Sequence, residues 1–503
     1  MAKNLMYGHY YNVLNFGAVG DGITLETLSI QNTLDTCSNA GGGTVFVPAG
    51  KYLCGTIFFH SNITLHLDAG AVLLGSENVE DYPISQNRWE GAEQPTYSPL
   101  IAGHRLENIT ITGRGTVNGQ GKYWWDLFNQ KALKYPRPRL VGFNDCKNVL
   151  IENITAINSP SWTINPVRCE NVQIHGLTII NPPDSPNTDG INPDSCSYVR
   201  ISDCYVSVGD DCITLKAGTE NELLAYQAAC HDITITNCTL ANGHGGVVIG
   251  SEMSGGVYHV TISNCIFSGT DRGIRLKSRR GRGGLVEDIR ITNLIMKNVL
   301  CPFTMNLYYG CGAWGDPIVS DKSARPIGLG TPSFRHIHFS YITARDVKYA
   351  AGFIYGLEEM PIEDISFSNI SVTMAEKSES GYPEMADGLE TMHRAGFFIR
   401  NVNHLRLDQV EIYQQVGPAF RIENSTKVNI NGCDTFLPKS ALPQISLENV
   451  EDCTIQSSLT SQTENNPVLF EGKNNTNISI FSMNRQHDQN NVNQKRDTDH
   501  KLG

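Results

Sequence analysis

Seven stretches decide the reading: NVLIENI (148–154), NVQIHGL (171–177), YVRISDC (198–204), DITITNC (232–238), HVTISNC (259–265), DIRITNL (288–294) and DISFSNI (364–370). Each has an apolar anchor in second place: Val149, Val172, Val199, Ile233, Val260, Ile289 and Ile365. Four residues on come Asn153, Gly176, Asp203, Asn237, Asn264, Asn293 and Asn369, residue types that tolerate a left-handed bend. The next residue is apolar or a thiol: Ile154, Leu177, Cys204, Cys238, Cys265, Leu294 and Ile370. Steps between the first six anchors are 23, 27, 34, 27 and 29 residues. HIHFSYI (336–342), HLRLDQV (404–410) and KVNINGC (427–433) continue the phrase. Repetition at this period in short strands predicts an all-β chain wound as a parallel β-helix, each strand stacked on its equivalent ~4.8 Å away.

Outward from the repeat, residues 1–485 read as one such domain with an N-terminal cap over about 12–55. Within TLETLSIQNTLDTCSNA (24–40), Ile30, Leu34 and Cys37 fall on one helical face, and Gly41-Gly42-Gly43 follows as a stop. Such a helix plugs the open end of the stack, whose bare edges invite aggregation. The polar, aromatic-free tail 486–503 is expected to be disordered. The 14 cysteines include no C-x-x-C pair, and Cys204, Cys238 and Cys265 fall on one ladder, where free thiols serve as small hydrophobes. Asn at successive bends is read as backbone geometry and hydrogen bonding along the stack, not as a binding stripe.

A net charge of −12 argues against nucleic acid as a partner, and the lack of an apolar run of about 18 residues argues against a membrane span. The opening MAKNLMYGHYYNVLNFGAVG has no continuous apolar core, being broken by His9 and Asn12. It does not read as a signal peptide, which favours a cytoplasmic location; a secreted or periplasmic one follows if a leader was removed. Oligomeric state has no signature in the sequence.

Chemistry appears where the repeat is interrupted. A second strand after each anchor is expected to put Ile191, Ile213, Val248 and Ile274 in the core, at offsets of 19, 14, 15 and 14. The longest offset holds the insertion PPDSPN (182–187). Asp189 and Asp211 each lie two residues before such a core position, so they share a phase on adjacent turns. Two carboxylates so placed repel each other, which a purely structural role does not explain. Asp210 points differently and brings a third. The next turn offers His244 within NGHGGVVIG (242–250), and the one after offers Arg275 and Lys277, at i and i+2 on one face. An Asp pair, a lone His or an Arg-x-Lys is common in turns and on solvated faces. Coincidence on four successive turns points to a site, and the cations suit a substrate bearing carboxylates.

At these residues the sequence resembles glycoside hydrolase family 28, the polygalacturonases. Four motifs run in order: Asn187-Thr188-Asp189, Gly209-Asp210-Asp211, Gly243-His244-Gly245 and Arg275-Leu276-Lys277. SPSWTINPVRCENV (159–172) and SRRGRGG (278–284) flank them, while FGAVGDG (16–22) and GGGTVFVPAGKY (41–52) resemble bacterial members, and the chain as a whole looks like a bacterial exo-polygalacturonase. The resemblance implies a right-handed β-helix that hydrolyses α-1,4-galacturonosyl bonds with inversion, without cofactor or metal. It implies Asp210 as general acid, Asp189 and Asp211 as the pair that holds the water, and His244 beside the acid. It implies Asn187, Arg275, Lys277 and a tyrosine for substrate; Tyr308 and Tyr309 both fit that last place.

Four other readings stand beside this one: a calcium-dependent pectate lyase, a rhamnogalacturonan or xylogalacturonan hydrolase, an endo-acting enzyme, and a non-catalytic carbohydrate-binding β-helix. SRRGRGG also admits reading as a nucleic-acid patch, which the net charge opposes in favour of a substrate-side or solvated loop. Insertions around 81–100, 119–138 (with Trp124 and Trp125) and 310–330 (with Trp314) are long enough to wall a groove and favour exo action.

Overall fold

A computed structural model of the chain describes residues 9–219, 228–436, 443–456 and 468–481. The tail predicted to be disordered lies outside them. The described chain is a right-handed parallel β-helix. Its anchors pair turn on turn, Val149 to Val172, Val199, Ile233, Val260, Ile289, Ile337 and Ile365, and all are buried. The predicted bend residues turn left-handed, with φ from 54° to 64° between Asn153 and Asn369. A second left-handed residue precedes each anchor: Asn148, Asn171, Tyr198, Asp232, His259, Asp288, His336 and Asp364. Short polar side chains at most of these places follow from the cost of a Cβ at positive φ. The Asn side chains also bond along the stack, Asn171 to Asn148 at 2.7 Å and Asn148 to Asn108 at 2.9 Å.

Inside, Cys204, Cys238 and Cys265 lie in one buried column beside Leu177 and Leu294, as free thiols. All 14 cysteines are free and only Cys311 is exposed. The predicted cap is the helix Thr27–Asn39, which buries Ile30, Leu34 and Cys37 against the first turns. Among the described residues no helix is long and apolar enough to cross a membrane.

One face of the coil carries the site. Its strands include Ile164–Val167, Ile213–Leu215, Val247–Ile249, Arg272–Lys277 and Cys301–Asn306. The register joins Ile164, Ile191, Ile213, Val247, Ile274 and Phe303. Val247, not the expected Val248, is therefore the core position of its turn, and Val248 falls in the outward column between Thr214 and Arg275. At Ile191 the sheet narrows to isolated bridges, where PPDSPN loops out.

Candidate active site

Asp189 and Asp211 each sit two residues before the paired Ile191 and Ile213, so the phase read from the sequence is realised in the stack. With Asp210 they bring carboxylate oxygens within 4.8 Å of one another. Each is held differently. Asp189 Oδ2 accepts from Asn192 Nδ2 at 2.9 Å and Thr214 Oγ1 at 3.4 Å. Asp210 Oδ1 accepts from the Asp211 backbone N–H at 2.8 Å. Asp211 Oδ2 accepts from Lys277 Nζ at 2.8 Å, and its Oδ1 from Arg275 Nη1 at 3.5 Å. Gly245 borders this cluster. A Cβ there would stand 2.4 Å from Val248 Cγ2 and 3.1 Å from Asp211 Oδ1, so a side chain would collide with Val248 and crowd the carboxylate.

These contacts separate the three acids. Burial alone would raise Asp211, but Lys277 and Arg275 outweigh it and hold its carboxyl at about 2. Burial raises Asp210, and the charge on Asp211 raises it further. Burial and the charge on Asp210 raise Asp189 as well. Within the coupled trio, cations therefore hold one acid low while burial and mutual repulsion push the other two up. The oxygens are close enough to hold a cation, yet the Lys277 ammonium already takes Asp211 Oδ2, and Asn192 and Thr214 take Asp189 Oδ2.

His244 is half-exposed and bonds Asp271 Oδ2 through Nδ1 at 2.9 Å. That bond, joined by the nearby Asp210, raises its pKa. Asn187, at φ 52°, accepts from Arg137 Nη2 at 2.6 Å. Of the two tyrosines, Tyr309 faces the site, its ring centre 5.2 Å from Lys277 Nζ and 5.6 Å from the Arg275 guanidinium carbon. Tyr308 points away, under Lys322 and Arg280. The SRRGRGG loop is neither a nucleic-acid patch nor a solvated loop. Arg280 is buried on Glu359, and Arg282 is buried near Glu252.

Several neighbours escaped the sequence reading. Lys216 is buried with Nζ 2.6 Å from Glu252 Oε2, and its charge acts on Asp189 and Asp211. Strand alternation puts it outward with Thr214, a signal the sequence did contain. Glu384, in the segment 375–394, pairs with Arg275 across 109 positions, and no local pattern marks it.

A hairpin covers earlier turns of this face. The antiparallel hairpin of Ile84–Trp89 and Ala92–Tyr97 turns at Glu90-Gly91, both left-handed, and lies over the earlier turns of this face. Arg88 pairs with Asp194 at 2.6 Å, Asn144 donates to Asn87 at 2.8 Å, and Trp89 stacks on Trp162 at 4.9 Å. Trp162 occupies the place of Asp189 one turn earlier, two residues before Ile164. The hairpin thus touches the stack one turn before Asp189. Of the expected wall residues, Trp124 is instead fully buried beneath Tyr82 and Tyr97, and Trp125 donates to Ser159 O. Trp314 is exposed.

The model of a family described as glycosyl hydrolases family 28 matches residues 37–386. A probable polygalacturonase of Vitis vinifera is 37% identical over 381 residues, covering 74% of this chain and 76% of that protein. An endo-polygalacturonase of Pectobacterium carotovorum subsp. carotovorum is 31% identical, over 60% of this chain and 78% of its own. Among solved structures, a hyperthermoactive exopolygalacturonase from Thermotoga maritima is 30% identical with a TM-score of 0.66, covering 79% of this chain and 92% of that one. Similarity thus extends to plant and bacterial proteins, and a specifically bacterial kinship is not singled out.

Proposed function

The chain belongs to family 28 of the glycosyl hydrolases, and from that premise we propose that it hydrolyses α-1,4-galacturonosyl bonds of pectic chains with the residues gathered around Asp189, Asp210 and Asp211. One observation carries the reading: three acids share one cluster, and cations pin only one of them. Asp210 is the least buried of the three, and burial with the Asp211 charge moves its carboxyl upward, in the direction a proton donor to the leaving oxygen needs. Asp211, kept ionised by Lys277 and Arg275, and Asp189 beside it face the water that attacks the anomeric carbon. Lys277, Arg275 and the ring of Tyr309 form the cationic and aromatic side of the groove, suited to a sugar carboxylate. The closest oxygens stand nearer than the ~6.5–9.5 Å usual for inverting pairs. Inversion is therefore carried by the family resemblance, and NMR of the first product checks it, with the β-anomer expected.

Exo action is supported by the hairpin that packs on this face one turn before Asp189. Incubation with polygalacturonate tests activity and mode together. Reducing ends, undiminished by chelator, without ultraviolet absorbance and with monomer first, are expected. Absorbance or chelator loss would point to a lyase, an early ladder of oligomers to endo action, and no new ends would overturn the proposal. Fourteen free thiols also favour a reducing compartment. Cell fractionation tests this, and recovery outside the cytoplasm would refute it.

A further inference from the structure

Arg275 is not free to meet a ligand with its whole guanidinium. Its Nε lies 2.6 Å from Glu384 Oε1 and its Nη2 3.1 Å from Oε2, the forked pairing that fixes a guanidinium in plane. Glu384 itself is locked. It is fully buried, accepts from the Met385 backbone N–H at 3.0 Å and from Thr304 Oγ1 at 3.4 Å, and has Arg272 Nε at 3.7 Å. The segment bearing it leaves the coil after Met374 and rejoins at Ala395. It is tied down over the site turns: Arg272 donates to Tyr382 O and Pro383 O, both at 3.0 Å, and Gly310 N–H to Met385 O at 2.9 Å. Of the three guanidinium nitrogens, only Nη1 remains for the groove, 3.5 Å from Asp211 Oδ1, while the ring of Tyr309 lies alongside.

The competing partner for Arg275 is Asp211. Without Glu384, nothing on the other side of the guanidinium draws it back, and it closes on Asp211 as a full ion pair. The edge that now faces the groove is then spent on the protein's own carboxylate. We infer that Glu384 is a positioning residue that keeps Arg275 from closing further on Asp211 than its present 3.5 Å contact, so that Nη1 together with Lys277 receives the carboxylate of the substrate sugar. Glu384 thereby sets the preference for free acid over methyl ester. The inference rests on the proposed galacturonan hydrolysis and names what tunes that site.

The test compares galacturonate oligomers with their methyl esters as substrates for the whole protein. In Glu384→Gln, KM for the acid is expected to rise ~10-fold with kcat within ~3-fold, and the acid-over-ester preference to fall ~10-fold. Because Glu384 acts through Arg275, Arg275→Gln combined with Glu384→Gln is expected to be no worse than Arg275→Gln alone. Glu384→Asp, which keeps the charge on a shorter arm, is expected to fall between wild type and Glu384→Gln, and it serves if Glu384→Gln fails to fold. An unchanged acid preference in either variant, or additive losses in the double variant, overturns the inference while leaving the activity standing. No hydrolysis by the unaltered protein overturns both.

Discussion

Replacement of Lys277 by Met removes the closest cation from the acid cluster. Lys277 Nζ and Asp211 Oδ2 stand 2.8 Å apart, with both side chains nearly buried. At an effective dielectric of ~20 that pair is worth roughly 6 kcal/mol, or ~4 pKa units, before burial and relaxation reduce it. The net depression of Asp211, from 3.8 to about 2, corresponds to roughly 2 kcal/mol of stability. The sign follows from the folded carboxyl lying below its unfolded value. The contribution is complete above the unfolded value and is lost as pH falls through the folded one. The variant also leaves a buried carboxylate half-paired, which costs about 3–5 kcal/mol when one partner is removed. Urea unfolding at pH 7 is therefore expected to show Lys277→Met less stable by about 3 kcal/mol, with the deficit shrinking as pH approaches 2. The acid limb of the pH–rate profile, a property of the coupled trio, is expected to move up by at least ~1 unit. A stability deficit that does not change with pH, together with an unmoved acid limb, refutes the view that Lys277 keeps Asp211 ionised.

Asp210→Asn is expected to lower kcat by ~10²–10⁴ with no loss of Tm, since a proton donor is removed and a like charge relieved; near-normal turnover would sink the acid assignment. Asp271→Asn takes away the largest influence raising His244, so the pKa of His244 falls. The stability and activity that depend on protonated His244 should then be lost at lower pH than in wild type, seen as an alkaline limb displaced downward; a limb unmoved in the variant argues that His244 does not titrate in the working range. Thiol titration of the native protein should count one fast-reacting group, Cys311, rising to 14 in denaturant. A total below 14 would reveal disulfides. Gly245→Ala should cost activity well beyond its effect on Tm, because the new methyl meets Asp211 Oδ1; wild-type turnover would show the carboxylate has room to shift.

The site was legible wherever chemistry follows the repeat. Asp189 and Asp211 were placed on one column because the same two-residue interval precedes a core isoleucine on both turns, and hydrogen bonding imposes that register. Val248 was misread because Val247 and Val248 are adjacent and both apolar, and only pairing with Ile213 and Ile274 tells them apart. The choice of Tyr309 over Tyr308 was equally beyond the sequence, since the chain leaves the strand there and alternation no longer dictates direction. The left-handed residues before the anchors are mostly Asn, Asp and His, but Tyr198 among them breaks the pattern that the predicted bends behind the anchors keep.

By itself the sequence determined the coil, its free-thiol column, its capping helix and the four motif turns. All of these arise from short-range periodicity, which repeats a local conformation and lets neighbouring turns bury the same face. Tertiary structure alone decided which charges meet. The Glu384–Arg275 fork, the Lys216–Glu252 pair and the Trp89–Trp162 stack join segments 36 to 109 positions apart or from separate insertions. Long loops obey no period. Their positions are set by the burial and charge pairing available once the coil exists, so the walls and counter-ions of the site emerge only in the folded chain.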